Sequence, residues 1–418
     1  MKINKWTLGL AALGLVSLTS ATQAEEAKTV PLLTALSATT ISGYVDTSMV
    51  WNPGTGNANP APFAFNAGKQ DGFNLDAVDI KLVKPLEEGQ WSSGYTAEMM
   101  FGPDAGFVTG GGSGELGQAV REAHVDLRMP IGNGLDWQIG RFGNILGYES
   151  TTSYQNPNWT HSYAWTIEPT EHTGVLASYK VCESFSILAG VANTVTTGPI
   201  NGRNFSRTDG STIESEKSIV SLITLTAPES WGVLGGSALY AGLDNGFGNT
   251  GGEDRTHFYG GVTVKTPLKG LSVGGSYDYI RHTDVNNFDT GLARSVCGYV
   301  IYQATEKMSL NLRGEYANGA FLGAMADAAN RDGGYIGGAP VSPLNKVLAL
   351  TATLQYDLWA NVISRLEVRW DHSANGHNPF GGTVKSTPEN LDTDTADTGA
   401  TGTKNNDIMV AANIIFKF

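Results

Sequence analysis

The sequence predicts an all-β fold, a transmembrane antiparallel β-barrel of about 16 strands. Segments of roughly a dozen residues alternate apolar and polar side chains, which is the period of a strand with two different faces. The connections between these segments are short and long in turn, as in barrels that cross a membrane. After the N-terminal segment, no apolar run approaches the length of a membrane-spanning helix.

The N-terminus is predicted to be a secretory signal peptide. It begins with a basic segment that contains Lys2 and Lys5, and a short apolar run follows at Trp6–Leu18. Thr22-Gln23-Ala24 then supplies small residues typical of a cleavage site. The run is too short to cross a bilayer, which takes about 20 apolar residues. The predicted divisions of the chain are a signal peptide at residues 1–24, a short N-terminal periplasmic segment at 25–39 and the barrel at 40–418.

The last strand shows the alternation most clearly. Counting back from the C-terminus, every second residue is apolar: Phe418, Phe416, Ile414, Ala412, Val410 and Ile408. The rest of the chain repeats this pattern. The predicted strands are Thr40–Trp51, Phe73–Pro85, Trp91–Phe101, Gln118–Met129, Leu135–Ile145, Thr170–Val181, Phe185–Thr196, Lys217–Ala227, Trp231–Leu243, Arg255–Thr266, Leu271–His282, Leu292–Gln303, Met308–Asn318, Lys346–Leu358, Val362–His372 and Ile408–Phe418.

The connections define the two ends of the predicted barrel. Tight connections carry Pro, Gly and Asn, which are turn residues, and the intervening ones are long and rich in Gly, Asn, Asp and Thr. Barrels of the outer membrane have short periplasmic turns and long extracellular loops. The tight connections are residues 86–89, 130–134, 182–184, 228–230, 267–270, 304–307 and 359–361.

Aromatic residues favour a membrane barrel over a soluble sandwich. They cluster at both strand ends, where girdles at the two membrane interfaces place them. Those beside the short turns or the C-terminus are Trp91, Trp137, Phe185, Trp231, Trp359 and Phe418, and those near the long loops are Trp51, Phe101, Tyr316 and Trp370.

Composition excludes several functional classes. The 418 residues carry 53 Gly, 16% charged residues and a formal net charge of −13, which argues against a nucleic-acid partner. The seven His residues show no spacing typical of a zinc site, and no cofactor or metal is predicted. The acidic run Asp392–Asp397 lacks the Gly and Glu of an EF-hand, so a solvated loop is favoured there over a calcium site.

The polar face of the strands is predicted to surround a water-filled lumen, because buried charges need water or partners. The third long connection, Tyr148–Pro169, carries five Tyr and Trp residues, more than a solvated loop usually exposes. We therefore expect it to fold inward and narrow the lumen, unless it caps neighbouring loops instead. Its acids Glu149 and Glu168, with Glu171, are predicted to face Arg121, Arg128 and Arg141 across the passage. Further predicted pore-lining residues are Glu122, Asp126, Arg313, Arg365 and Arg369.

Four segments carry a resemblance to a known family: Ile41–Ser48, Arg121–Arg128, Leu135–Phe142 and Tyr154–Gly174. They are similar to the OmpL-like β-barrel porins of Gram-negative outer membranes. The resemblance implies an integral outer-membrane location, outer-membrane lipid as a partner, transport of small hydrophilic solutes or ions, and association as a homotrimer. The terminal aromatics Phe416 and Phe418 resemble the assembly signal of such barrels.

The expected function is that of a porin for passive diffusion, with a mild cation preference because the chain is acidic. Two alternatives remain open. One is an adhesin or phage receptor formed by the long loops, above all Ala374–Asn406. The other is a barrel enzyme with an active site at the rim, for which Asp371 and His372 are the only candidates. We expect no enzymatic activity.

Overall fold

The computed structural model describes residues 38–53, 72–89, 91–105, 118–195, 200–203, 216–248, 254–283, 289–319, 346–374, 376, 378, 380–381 and 403–418. The predicted signal peptide, nearly all of the predicted periplasmic segment and the acidic run Asp392–Asp397 lie outside these residues. In the described part of the chain, no helix has the length and apolar character needed to cross a membrane.

Sixteen strands form one closed antiparallel barrel, in which each strand pairs with its sequence neighbours and the first pairs with the last. The predicted fold is therefore confirmed. The strands are β1 (Thr40–Trp51), β2 (Gly72–Lys84), β3 (Ser93–Phe101), β4 (Gln118–Met129), β5 (Leu135–Gly143), β6 (Glu171–Cys182), β7 (Phe185–Ala192), β8 (Ser218–Thr226), β9 (Ala238–Phe247), β10 (Asp254–Lys265), β11 (Leu271–Thr283), β12 (Asp289–Gln303), β13 (Met308–Gly319), β14 (Lys346–Trp359), β15 (Val362–Ser373) and β16 (Asn406–Lys417).

The two faces of each strand have opposite chemistry. On β15, Leu366 and Val368 are exposed on the outer surface. The residues that alternate with them, Arg365, Glu367 and Arg369, are buried inside the barrel. The alternation follows from the period of two, which sends successive side chains to opposite sides of the sheet. The apolar side of the barrel faces the hydrocarbon and the charged side faces the lumen, as the sequence predicts.

Exposed rings mark the ends of the outer surface. Trp91 and Trp359 at the short-turn end are 72% and 70% exposed, and Phe73 at the long-loop end is 90% exposed. Aromatic rings favour the membrane–water interface. The rings at the two ends of the barrel therefore mark the two edges of the apolar band.

One predicted strand start is wrong. The sequence predicts a strand from Trp231, but Glu229–Leu234 forms a 3-10 helix and β9 begins at Ala238. The helix follows Pro228, which has no backbone N–H for a ladder, and it contains Gly232 at φ 62, a left-handed conformation that a strand does not use. This short-turn connection is therefore longer than predicted.

The barrel closes between β1 and β16. Tyr44 to Trp51 pair with Lys417 to Val410 in continuous register. At the end of the seam, the backbone N–H of Gly43 donates to the carbonyl of Phe418, and the N–H of Phe418 donates to the carbonyl of Gly43, both at 3.0 Å. The C-terminal residue thus forms the last rung of the closure, and its ring is half exposed on the outer surface.

We expect Phe418→Ala to lower the yield of closed barrel, because it removes the ring while keeping the last rung of the seam. The measurement is the fraction of protein in outer-membrane extracts that keeps the fast electrophoretic mobility of a folded barrel without heating. Phe418→Trp is the control and should retain wild-type yield. Equal yields for the Ala variant and the wild type would rule out a role of this ring in assembly.

Candidate functional site

The third long connection, residues 144–170 between β5 and β6, crosses the interior of the barrel. It contains a 3-10 turn at Ser153–Gln155 and a short helix α1 (Tyr163–Ile167), and nearly all of it from residue 158 onward is buried. Its apolar side chains Trp159, Tyr163 and Ile167 pack against inward residues of the wall, among them Val347 and Met409. We call this segment the inner loop.

Local sequence features shape the inner loop. The Asn156 side chain accepts from the N–H of Ser150 at 2.8 Å and donates to its carbonyl at 2.6 Å, which closes a compact turn. Ser162 caps α1, because its hydroxyl accepts from the N–H of Trp165 at 3.1 Å. The helix ends before Pro169, at a point where the chain must return to the wall as β6.

Arg313 of β13 is the principal donor to the inner loop. Its guanidinium donates to the Thr160 carbonyl at 2.5 Å, the His161 carbonyl at 3.1 Å and Glu149 Oε1 at 2.9 Å. It also pairs with Glu315 at 2.7 Å on its own strand. The residue is only 1% exposed, so its hydrogen bonds and ion pairs hold loop and wall together and it does not face open solvent.

Glu367 of β15 is the matching acceptor. Its carboxylate accepts from the N–H of Trp159 at 2.7 Å, from the N–H of Thr160 at 3.0 Å and from the Thr160 hydroxyl at 2.5 Å. The hydroxyl of Thr353 on β14 donates a fourth bond at 2.6 Å. The carboxylate is fully buried and has a donor on every side, which is what a buried charge requires.

Two further arginines bind loop carbonyls. Arg369 donates to His161 O at 2.6 Å and pairs with Asp371 at 2.9 Å. Arg365 donates to Ser153 O at 3.2 Å and to Asn156 O at 2.7 Å. The sequence predicts that Arg313, Arg365 and Arg369 line the pore. The structure instead buries all three between the inner loop and the wall.

Glu149 lies at the start of the inner loop and binds residues further along the same loop. It accepts from the N–H of Ser162 and from Tyr299 OH, each at 2.9 Å, and contacts His161 Nδ1 at the same distance. Burial acts to raise the pKa of Glu149, but the Arg313 guanidinium and the hydrogen bonds from His161 and Ser162 outweigh it and lower the pKa to about 2. Glu149 therefore stays ionised at neutral pH.

Glu168 at the other end of the loop has the opposite character. Burial raises its pKa well above the ordinary value, and the neighbouring carboxylates of Asp278 and Glu149 raise it further, against a smaller lowering effect of Arg255. Asp278 also has a partner on the barrel wall, because its Oδ1 lies 2.9 Å from His257 Nε2. Glu168 is therefore much harder to ionise than Glu149, and the two acids of the loop differ in their tendency to carry a charge.

A second charged cluster lies on the wall formed by β2, β3 and β4. Lys81 Nζ pairs with Glu98 at 2.7 Å and with Glu122 at 2.8 Å, and Arg121 pairs with Glu98 at 2.5 Å. Arg121 also donates to the hydroxyl of Thr151, which joins this wall to the inner loop. Lys81 is the most exposed member, since 24% of its side chain remains accessible.

The predicted separation of acids and bases across the lumen differs from what the structure shows. Glu171 lies beside the arginines it was expected to face, 3.4 Å from Arg141 and 3.8 Å from Arg121. Arg128 takes no part in this region. It pairs with Asp136 at 2.6 Å near the short-turn end, where it is about one third exposed.

Asp126, another residue of β4 that the sequence predicts to line the pore, contacts His124 Nδ1 at 3.1 Å. The predicted opposition therefore gives way to local ion pairs, because unpaired charges at such depth are costly.

A cavity of about 290 Å³ lies beside the inner loop. The loop forms one side of it and the wall cluster forms another, and tyrosines of β9 and β10 complete it. The charged and aromatic residues around this cavity are Asp79, Lys81, Glu98, Arg121, Glu122, Tyr148, Glu149, Tyr154, Trp165, Glu168, Tyr240 and Tyr259.

Several residues of the site were not predicted from sequence to bind the inner loop or to form the constriction. Glu315 and Glu367 accept from the loop backbone, Asp371 accepts from Tyr163 OH at 2.8 Å, and Lys81 and Glu98 form the centre of the wall cluster. Their only signal in the sequence is that they share the inward parity of their strands. Parity identifies them as interior residues but does not indicate which segment they bind.

The candidate rim pair does not form an active site. Asp371 points inward, where it binds Arg369 and Tyr163. His372 lies on the opposite face of β15, stacks on Trp370 and contacts Asn406 Oδ1 at 2.9 Å. Since neighbouring strand residues point to opposite sides of the sheet, Asp371 cannot orient His372 for proton transfer.

Comparison with known proteins decides the family. Residues 38–416 match the family described as putative beta-barrel porin-2, OmpL-like. The chain belongs to this family. The resemblance found in the sequence is thereby confirmed, and with it the placement of this porin-family barrel in the outer membrane. Comparison with curated proteins gave no match.

Solved structures agree with the fold of this porin-family barrel. An anion-selective porin from Comamonas acidovorans has a TM-score of 0.56 at 11% identity, covering 91% of this chain and 99% of that one. OmpF from Salmonella typhi has a TM-score of 0.54 at 12% identity, covering 91% and 97%. The channel DcaP of Acinetobacter baumannii has a TM-score of 0.53 at 11% identity, again covering 91% and 97%. At these identities the likeness concerns the fold alone.

We expect Glu367→Ala to loosen the inner loop, because it leaves the donors of Trp159, Thr160 and Thr353 buried without their acceptor. Each buried unsatisfied donor costs about 1–3 kcal/mol. Limited proteolysis of the purified barrel should cleave the variant within the inner loop faster than the wild type.

Glu367→Gln is the matched control, since its amide oxygen still accepts while the charge is gone. Its cleavage rate should lie between those of the wild type and the Ala variant. If the Ala variant is cleaved no faster than the wild type, Glu367 does not hold the loop.

Proposed function

We propose that this barrel is a porin that forms a water-filled channel for passive diffusion of small hydrophilic solutes or ions, narrowed by the inner loop. The observation that carries the proposal is the set of bonds from Arg313, Arg365, Arg369 and Glu367 to the loop backbone. These bonds fix the loop inside the lumen against β13–β15. The cavity on its other side then defines the route that remains for solutes.

The charges beside the cavity favour a mild cation preference. Its acidic and basic residues are Asp79, Lys81, Glu98, Arg121, Glu122, Glu149 and Glu168, and acids outnumber bases even when Glu168 is not counted. A passage lined by more negative than positive charge concentrates cations and repels anions. The net charge of the whole chain, −13, acts in the same direction over longer distances.

The tyrosines beside the cavity fit the passage of hydrophilic solutes. Tyr148 stacks on Tyr299 with ring centroids 4.2 Å apart, so its orientation is fixed. Tyr240 and Tyr259 lie on the adjacent wall. Phenolic hydroxyls donate and accept hydrogen bonds, and they can replace part of the hydration of a passing solute. Association as a homotrimer rests on analogy with the porin class alone.

Deletion of Asn156–Tyr163 is expected to raise single-channel conductance in planar bilayers, because it removes the part of the inner loop that the wall arginines and Glu367 hold. Wild-type protein in liposomes should release a small sugar faster than protein-free liposomes. Unchanged conductance after the deletion would contradict the constriction. A wild-type barrel that conducts no ions and releases no sugar would contradict the channel itself.

Cation selectivity is expected to increase as the pH rises through the raised pKa of Glu168. Burial and the neighbouring carboxylates raise this pKa, and deprotonation adds a negative charge beside Asp278 and Glu149. The same ionisation destabilises the folded protein, because a carboxyl whose folded pKa is raised loses stability as pH rises through that value. Reversal potentials in a salt gradient, recorded between about pH 6 and pH 9, measure the change.

Glu168→Gln is the control for this titration. It stays neutral throughout, so its selectivity should change less with pH than that of the wild type. If the variant follows the wild-type curve, another group is responsible for the dependence.

A further inference from the structure

The outer surface of β11–β14 differs from the rest of the barrel at the extracellular end. On the other strands the described outward residues near the long loops are mostly apolar. Examples are Trp51, Phe73, Met99, Val191, Ile219 and Ile408, all of which are exposed. This is the surface that contacts lipid acyl chains.

Arg294 and Lys346 interrupt this apolar surface. Arg294 shares the outward parity of Val296, which is half exposed, and is itself exposed. It pairs in register with Asn318 of β13, which pairs in turn with Lys346 of β14. Arg294 Nε donates to Asn318 Oδ1 at 2.9 Å. The two cations therefore lie in one row of the outer wall, two strands or about 10 Å apart.

Arg281 adds a third positive charge. It has the same outward parity as the exposed Tyr277 on β11. It pairs with Leu292, two residues closer to the long loop than the pair of Tyr279 with Arg294. Asp254 of β10 has the same outward parity and lies near Arg281, so one carboxylate among the residues that the structure describes accompanies the three cations. We call Arg281, Arg294 and Lys346 the outer basic patch. Its net charge is positive in a chain whose formal charge is −13.

Aromatic rings at the level of the outer basic patch and below it indicate its depth. Tyr279, which pairs in register with Arg294, forms a ring pair with Phe258 at a centroid distance of 6.2 Å. Tyr277 and Tyr316 are exposed nearer the middle of the wall. Such rings lie at the boundary between acyl chains and headgroups. Arg281 is about 33 Å along β11 from the short turn, which at the usual tilt is roughly 25 Å of height and spans the apolar band.

We propose that the outer basic patch binds the phosphate-bearing headgroup of a lipid in the outer leaflet. Arginine guanidinium and lysine ammonium groups are the usual ligands of phosphate, and here they point out of the barrel at headgroup depth. The acyl chains of the lipid would lie on the apolar wall between Val296 and Leu350, below Arg294. The proposal depends on the outer-membrane location of the barrel and not on its transport activity.

The test uses the full-length barrel purified in a non-ionic detergent. Native mass spectrometry gives the apparent affinity for a diphosphorylated lipid A and for the same lipid after enzymatic removal of both phosphates. We expect the phosphorylated lipid to bind more tightly. The double variant R294A/K346A should lower its affinity by about fivefold or more, the effect of losing two exposed charge pairs.

Lys217→Ala is the matched control. Lys217 is an exposed cation at the extracellular end of β8, where it donates to the carbonyl of Glu216 at 3.1 Å, outside the outer basic patch. Its removal should leave lipid affinity unchanged. Electrophoretic mobility without heating shows whether each variant is a folded barrel.

Three results would overturn the proposal. The first is equal affinity for the phosphorylated and dephosphorylated lipids. The second is a loss of affinity per charge removed that is the same in Lys217→Ala and in the double variant, which would indicate attraction by total charge. The third is efficient cross-linking of two barrels through a cysteine placed at position 294, which would make this face a contact between copies of the chain.

Discussion

The structure depends on the requirement that every backbone N–H and C=O group inside a bilayer has a partner within the protein. An open sheet edge cannot meet this requirement in hydrocarbon, so β1 and β16 pair and the sheet closes. Closure has a second consequence. The inward face of the strands is enclosed, so its charged side chains need partners or water within the lumen. Sixteen strands leave enough space for both, and the inner loop divides that space between them.

The inner loop and the wall charges stabilise each other. A buried arginine or carboxylate loses its hydration, and this cost is offset only when its hydrogen bonds are replaced. Arg313 and Glu367 achieve this with backbone groups of the loop, which is itself far from water and needs partners for its own N–H and C=O groups. The result is an interface of complementary donors and acceptors on β13–β15, which holds the inner loop although most of that loop has no regular secondary structure.

The sequence predicts the strands well because period two, chain length and turn residues are local signals. The bounds of β1 and β4 agree with the predicted ones, and the error at β9 arises where Trp231, Val233 and Leu234 supply apolar residues beyond a proline. Pairing within the lumen is not local. Glu367 and Thr160 are 207 residues apart in sequence, and no spacing rule connects them. Sequence therefore predicted an inward loop with charged neighbours, but not which arginines would be buried beneath it.

The asymmetry of the lumen follows from where the loop is held. The bonds on β13–β15 occupy the arginines of that wall, so these residues no longer act as free charges for a solute. The opposite wall keeps Lys81 and Glu122 partly accessible, and they neutralise each other at 2.8 Å. In the proposed channel, a solute in the cavity would meet this paired cluster, which attracts both signs weakly, together with the unbalanced charge of the remaining acids. Selectivity in such a passage depends on small differences in the ionisation of a few carboxyls rather than on a continuous ladder of like charges. Because the pKa of Glu149 is lowered and that of Glu168 is raised, the inner loop itself sets part of that difference.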